Sequence, residues 1–183
     1  MNNDSFIEEA VKDIISSLGE DPDREGLLET PARVMRSYKE IFSGYGKNPE
    51  DVMKVFDAEG YDELVLLKDI ELYSTCEHHM IPFIGKCHIA YIPDTKICGI
   101  SKLARVMEIF SRRMQIQERL TNQIAHAIDD ILQPKGVGVV IEAYHLCMRA
   151  RGVNKQNSMM VTSALLGNFR DADVKTEFLG LIK

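Results

Sequence analysis

Apolar positions at Phe6, Ile7, Ala10, Val11, Ile14, Ile15 and Leu18 recur at three- and four-residue spacing, which predicts an amphipathic helix over 4–18 stopped by Gly19. The run Asp21-Pro22-Asp23-Arg24-Glu25-Gly26 reads as a turn. Thr30-Pro31 then opens a second helix, with a capping hydroxyl and a proline at the first helical position, running to about Phe42 and ending at Gly44. Residues 45–62 are mixed loop with a short helix near 49–54. From residue 64 the period changes to the alternation of strands, over 64–73 and 86–92, the second bounded by Gly85 and Pro93. Two helices follow at 101–113 and 117–132. Leu103, Val106, Met107 and Phe110 form the stripe of one; Leu120, Ile124, Ala127, Ile128 and Ile131 form that of the other. Pro134 and Gly136 close the latter. A strand over 137–148 would put Val139, Ile141, Ala143, His145 and Cys147 on one face, with Arg149 and Arg151 continuing that face. A last strand over 158–165 pairs with it through a loop at 151–157, and a short helix or extended tail ends the chain. The expected class is α+β, an antiparallel sheet with two long helices. An N-terminal helical segment (1–45) precedes a body over 46–183, with no internal repeat.

The chain has 183 residues, 45% of them apolar, and a net charge of −6. That acidity argues against nucleic acid or a membrane surface as a partner, since both are gripped by summed positive charge. No apolar run is long enough to span a bilayer. The first nine residues lack a basic-then-apolar leader pattern, so a cytoplasmic location is expected. Four cysteines in a reducing compartment are metal ligands or buried thiols rather than a disulfide framework. Cys87 and Cys98, in apolar strand-like surroundings, fit the second description.

Chemistry concentrates at Cys76-Glu77-His78-His79 and at the distant His145-Leu146-Cys147. Cys76, His79 and Cys147 would give one ion two sulfurs and a nitrogen. Zinc accepts such a set, and three protein ligands leave a fourth position for water or substrate. His78 and His145 then stand beside the metal as proton donors or acceptors, work for which imidazole is suited near neutral pH. Hydrolysis of a C–N or C=N bond is the reaction class that follows. His88 and His126 have no such company, and His126 falls on a helix surface. At the helix start after Gly99, Lys102 and Arg105 share a face. By themselves they fit a solvated charged face better than a phosphate site; Arg149 and Arg151 shift the balance toward the latter. Glu118, next to Gln117, could accept paired hydrogen bonds from a nucleobase edge, or simply complement the helix dipole.

Taken together, these segments resemble the GTP cyclohydrolase I family. The residues that carry the likeness are Asp21-Pro-Asp-Arg-Glu-Gly-Leu, Thr30-Pro-Ala-Arg-Val, Cys76-Glu-His-His-Met, Gly85-Lys-Cys-His-Ile-Ala-Tyr-Ile-Pro, Gly99-Ile-Ser-Lys-Leu-Ala-Arg, Gln115-Ile-Gln-Glu-Arg-Leu-Thr, His145-Leu-Cys-Met-Arg-Ala-Arg-Gly and Val161-Thr-Ser-Ala, spread over nearly the whole chain in order. The resemblance implies a tunnelling fold (T-fold) whose strands join across subunits, typically in a decamer with sites between subunits. It implies conversion of GTP and water to 7,8-dihydroneopterin triphosphate and formate, the first step of pteridine and folate biosynthesis. By the same likeness, zinc is held by Cys76, His79 and Cys147 and supports attack at C8 of guanine, with His145 protonating the neighbouring ring nitrogen. His78 and Ser101 serve later proton transfers, Glu118 with Gln117 anchors guanine, and Lys102, Arg105 and Arg151 contact the triphosphate. Cys87, Cys98 and Met114 depart from the usual family pattern without touching these positions. A related enzyme acting on a purine-like or pterin-like ring, and a non-catalytic oligomer stapled by zinc, are the competing expectations. The free imidazoles His78 and His145 weigh against the second.

Overall fold

The computed structural model describes residues 3–183, and the chain divides into two compact units, Met1–Ser43 and Gly44–Lys183. In the first, helix α1 (Asn3–Ser17) and helix α2 (Thr30–Ile41) pack together, and Lys39 pairs with Asp4 at 2.6 Å. Gly19, at φ +86°, takes the left-handed turn beyond α1 that a side chain would resist. The start of α2 differs from expectation, because Thr30 is its first helical residue and no side chain caps it. The Thr30 N–H is already bonded to Leu27 O at 2.9 Å, so the preceding turn winds straight into the helix, and Glu29 pairs with Arg33 instead.

The second unit is α+β with an antiparallel main sheet and two long helices. After a short α3 (Pro49–Val52), β1 (Val55–Asp57) forms a small antiparallel ladder with β4 (Lys96–Cys98). The main sheet has the order β5-β2-β3-β6-β7, where β2 is Val65–Cys76, β3 Pro82–Ile92, β5 Met114–Gln115, β6 Gly136–His145 and β7 Met160–Gly167. All its pairs are antiparallel except β2 with β5. Helices α4 (Ile100–Ser111) and α5 (Gln117–Leu132) supply the predicted stripes, whose Leu103, Val106, Met107, Leu120, Ile124 and Ile128 are buried in one core with Leu72, Phe83 and Ile141 of the sheet. A second cluster joins Ala90, Ile92 and Val140 to Phe169 and Phe178, brought there by a 3-10 turn (Asn168–Arg170) and α7 (Ala172–Leu181). The two rings meet edge to face at 5.3 Å. Gly138 is required beneath them, since a Cβ there would stand 2.5 Å from the Phe169 ring.

Two expectations are corrected. β2 runs three residues further than predicted and β3 starts four residues earlier, so the turn between them is only 77–81. Ser74 and Thr75 look like loop residues in sequence, yet both are buried, and Ser74 Oγ donates to Ser111 O at 2.7 Å. Conversely, the strand expected over 137–148 stops at His145, and Leu146–Arg149 is a helical turn, α6. The cause is the neighbouring strands. The β3 ladder reaches only Phe83, opposite His145, and β7 begins at Met160, opposite Ala143, so residues after His145 have no partner. Cys147, Arg149 and Arg151 therefore do not continue the His145 strand face. Arg149 instead lies over the Tyr144 ring, 3.6 Å from its centroid.

β2 carries a bulge at Lys68-Asp69, one extra residue against β3, with Asp69 at φ +59°. The Asp69 N–H donates to Nδ1 of buried His88 at 3.2 Å. Burial lowers the His88 pKa below its ordinary 6.5, helped by Lys86 and Lys68 and opposed by Asp69 and Glu142. In that window the unfolded chain binds the proton more readily than the folded one. His88 therefore contributes stability that is fully present above 6.5 and lost as pH falls through the lower folded value. His88→Gln keeps an acceptor for Asp69 and should flatten the acid limb. Denaturant midpoints measured on both sides of the window check this, and an unchanged slope would acquit His88.

Candidate metal centre and catalytic site

Cys76 is the last residue of β2, and the tight turn after it is held by backbone bonds from Met80 N to Cys76 O (2.9 Å) and from Cys76 N to Ile81 O (3.0 Å). Cys147 lies in α6, immediately past the end of β6. Because β3 pairs with both β2 and β6, the two cysteines leave the sheet at the same end. The ligand atoms of Cys76, His79 and Cys147 all lie within 4.8 Å of one another. A tetrahedral zinc with bonds of about 2.0–2.3 Å spaces its ligands about 3.5–3.8 Å apart, so a small closure of these three side chains would seat the ion. Two thiols and an imidazole are also the donor set zinc prefers. Burial, and then the adjacent Cys76 thiol, raise the Cys147 pKa; a divalent cation between the sulfurs would displace their protons.

The turn that carries Glu77 and His79 is tethered to the start of α5. β5 pairs Gln115 with Cys76, and Glu77 N–H donates to Gln115 O at 3.0 Å. Arg119, in the first turn of α5, donates to Gln115 Oε1 and Met114 O, both at 3.1 Å, and its guanidinium also closes on the Glu77 carboxylate. That contact lowers the Glu77 pKa. Nothing in hydrophobic periodicity flags Arg119. Its partner is 42 residues away, and only the fold joins them.

Beside the three ligand atoms, His78 Nδ1 lies 3.8 Å from Cys76 Sγ, and Arg151 Nη1 donates to His79 Nε2 at 2.8 Å. His145 stacks face to face on Phe83, its cross-strand partner, with ring centroids 4.6 Å apart and planes inclined by 5°. Its Nε2 meets Gln117 Oε1 at 2.9 Å. Burial lowers the His145 pKa, against the charge of Glu118. Glu118 itself is exposed, whereas Gln117 is fully buried with its amide engaged by protein groups. Ser101, Lys102 and Arg105 occupy the first turns of α4, with Ser101 and Arg105 exposed. None of these three makes a side-chain hydrogen bond or ion pair to the metal cluster. His126 is exposed on α5, and Cys87 and Cys98 are buried, as sequence context suggested.

No helix among the described residues is long and apolar enough to cross a membrane. Among solved structures, an archaeosine synthase QueF-like protein in its apo form is similar over 57% of this chain and 93% of that one, at 19% identity and a TM-score of 0.47. In sequence, the chain is 58% identical over 178 residues to a GTP cyclohydrolase 1 of Chlorobium phaeovibrioides, covering 96% of this chain and 79% of that protein. It is 56% identical over 179 residues to one from Coxiella burnetii (97% of each), and 52% identical over 177 residues to one from Streptomyces coelicolor (96% and 88%). The family model for GTP cyclohydrolase I matches residues 7–183. With the two-cysteine, one-histidine cluster set beside a stacked histidine, the chain belongs to the GTP cyclohydrolase I family of enzymes.

Proposed function

We propose that this protein hydrolyses and rearranges GTP to 7,8-dihydroneopterin triphosphate and formate at a zinc site held by Cys76, His79 and Cys147. The observation that carries this is the convergence of those three ligand atoms within 4.8 Å in a chain of this family. Zinc bound there acidifies water to near neutrality and so supplies the nucleophile for hydrolysis. His145 gives a proton to the ring nitrogen next to the carbon under attack, its plane fixed by Phe83. His78, close to Cys76 and exposed, and Ser101 at the start of α4 carry protons in the later sugar rearrangement. Glu118 accepts hydrogen bonds from the guanine N–H edge; Gln117 stands beside it in sequence. Lys102, Arg105 and Arg151 neutralise the triphosphate. A neutral imidazole has one lone pair, so Arg151 yields its contact with His79 when that ring ligates, and its guanidinium turns to an anion.

We further propose that copies of the chain associate, as a decamer, with sites between subunits. The outer face of the sheet supports this, because Tyr73 and Ile84, paired across β2 and β3, and Val161 on β7 are 54%, 39% and 58% exposed. Large apolar side chains left exposed on a sheet face fit a surface that another copy of the chain covers.

Incubating zinc-loaded protein with GTP should release formate and, after oxidation, a fluorescent pterin; absence of both would favour a non-catalytic zinc oligomer. Cys147→Ser should lose zinc and turnover together, and full metal stoichiometry in that variant would refute the ligand assignment. His145→Ala should retain zinc and slow ring opening by roughly 10²–10⁴-fold. Arg119→Met removes the tether on the metal-binding turn and should weaken zinc binding on the order of tenfold, as loss of a group supporting metal ligands does. Competition with a chelating dye measures this, and wild-type affinity would show that the turn holds its shape unaided.

A further inference from the structure

We propose that Gln117 is a positioning residue that fixes which edge of His145 bears hydrogen, keeping Nε2 protonated and leaving Nδ1 as the nitrogen that exchanges a proton with substrate. This rests on the assignment of His145 to proton transfer made above.

Gln117 is 0% exposed. Its Nε2 lies 3.0 Å from Ile141 O, 3.1 Å from Met160 O and 3.1 Å from Thr162 Oγ1. Backbone carbonyls only accept, so the amide nitrogen must face them, and a flipped amide would set oxygen against two oxygens. The hydroxyls agree. Thr121 Oγ1 donates to Gln117 O at 2.7 Å and so accepts from Thr162 Oγ1, also at 2.7 Å. Thr162 is thereby left to accept from the Gln117 amide. A closed, directional circuit of bonds thus ties the side chain of Gln117 to β6, β7 and its own helix.

With the amide orientation set, Gln117 Oε1 is the group that meets His145 Nε2 at 2.9 Å. An amide oxygen cannot donate, so Nε2 carries hydrogen whether the imidazole is neutral or charged. Phe83, itself fully buried, stacks on the ring and resists its rotation about the remaining bond. The structure therefore separates two neighbours on α5. Exposed Glu118 is free to meet a ligand, whereas the buried Gln117 amide spends its N–H donors on protein acceptors and its oxygen meets His145.

Magic-angle-spinning NMR of ¹⁵N-histidine-labelled, zinc-loaded protein at alkaline pH tests this directly. The His145 pair of signals is identified by its loss in His145→Asn. The expected result is a pyrrole-type Nε2 and a pyridine-type Nδ1 with no second tautomer; a protonated Nδ1 or a mixture overturns the proposal. The tautomer itself is read in the wild-type chain, so the result stands whether or not GTP proves to be the substrate. In a second experiment, Gln117→Met should lower kcat by about tenfold or more while KM for GTP stays within about threefold and zinc content is unchanged. An unchanged kcat, or a KM that rises while kcat holds, overturns the proposal and places Gln117 on the substrate. Failure of the wild-type enzyme to release formate would count against the proposed reaction alone.

Discussion

The register of one strand, β3, holds the site together. Beginning at Pro82, it pairs with β2 through Thr75 and with β6 through His145, so both neighbours are cut to end at the same level. Cys76 closes one and Cys147 follows the other, which is how two thiols far apart in sequence come within 4.8 Å of each other and of the His79 ring nitrogen. Slipping either ladder by one residue would turn every side chain of the moved strand to the opposite face. Phe83 and Ile141 would then leave the core, and burial of that core makes the register costly to change. The convergence of the two cysteines is thus secured by a hydrophobic core that includes Cys76 itself and packs against Cys147.

Local polar interactions refine what the register places. Two tethers arise from the segment that joins α4 to α5. Gln115 and Arg119 hold the turn containing Glu77, and Gln117 holds His145. Both depend on buried amides with all partners met; Gln115 Nε2, for example, donates to Phe110 O at 3.0 Å and to Gln123 Oε1 at 2.8 Å. Burying such groups costs free energy unless each bond is made, and that demand is what makes them specify a single arrangement. The start of α5 is therefore the frame against which both the turn at Glu77 and the ring of His145 are set.

Helices α1, α4 and α5 were legible because each carries a long stripe at helical period, and α5 has the bounds its pattern predicted. The grouping of Cys76, His79 and Cys147 was legible because a Cys-Glu-His-His run and a His-Leu-Cys run are chemically unusual in any context. Strand ends were not, for a physical reason. Ser74 and Thr75 are polar residues buried by tertiary contacts, while Leu146, Cys147 and Met148 look apolar enough for a strand but lack a partner to pair with. Gln117 and Arg119 fall in the same class, since a side chain's partners in a network joining several elements leave no trace in its own neighbourhood of sequence.

Many of the residues in the proposed chemistry are exposed, although Cys76 is buried, and most of those that position them are buried. His78, His79, Ser101, Glu118, Arg105 and Arg151 are open to solvent, whereas Phe83, Gln115, Gln117 and Thr121 are buried. Water at such a surface would screen the charges that bind a triphosphate and compete for every hydrogen bond to a base. A reaction that develops charge on a purine gains most where water is excluded and donors are fixed in advance. The buried residues fix His145 and the turn at Glu77, while the residues of the proposed chemistry named above stay open to solvent. The proposed association through the apolar sheet face would provide the missing walls from a second copy, which links the exposed patch and the open site to a single requirement of the chemistry.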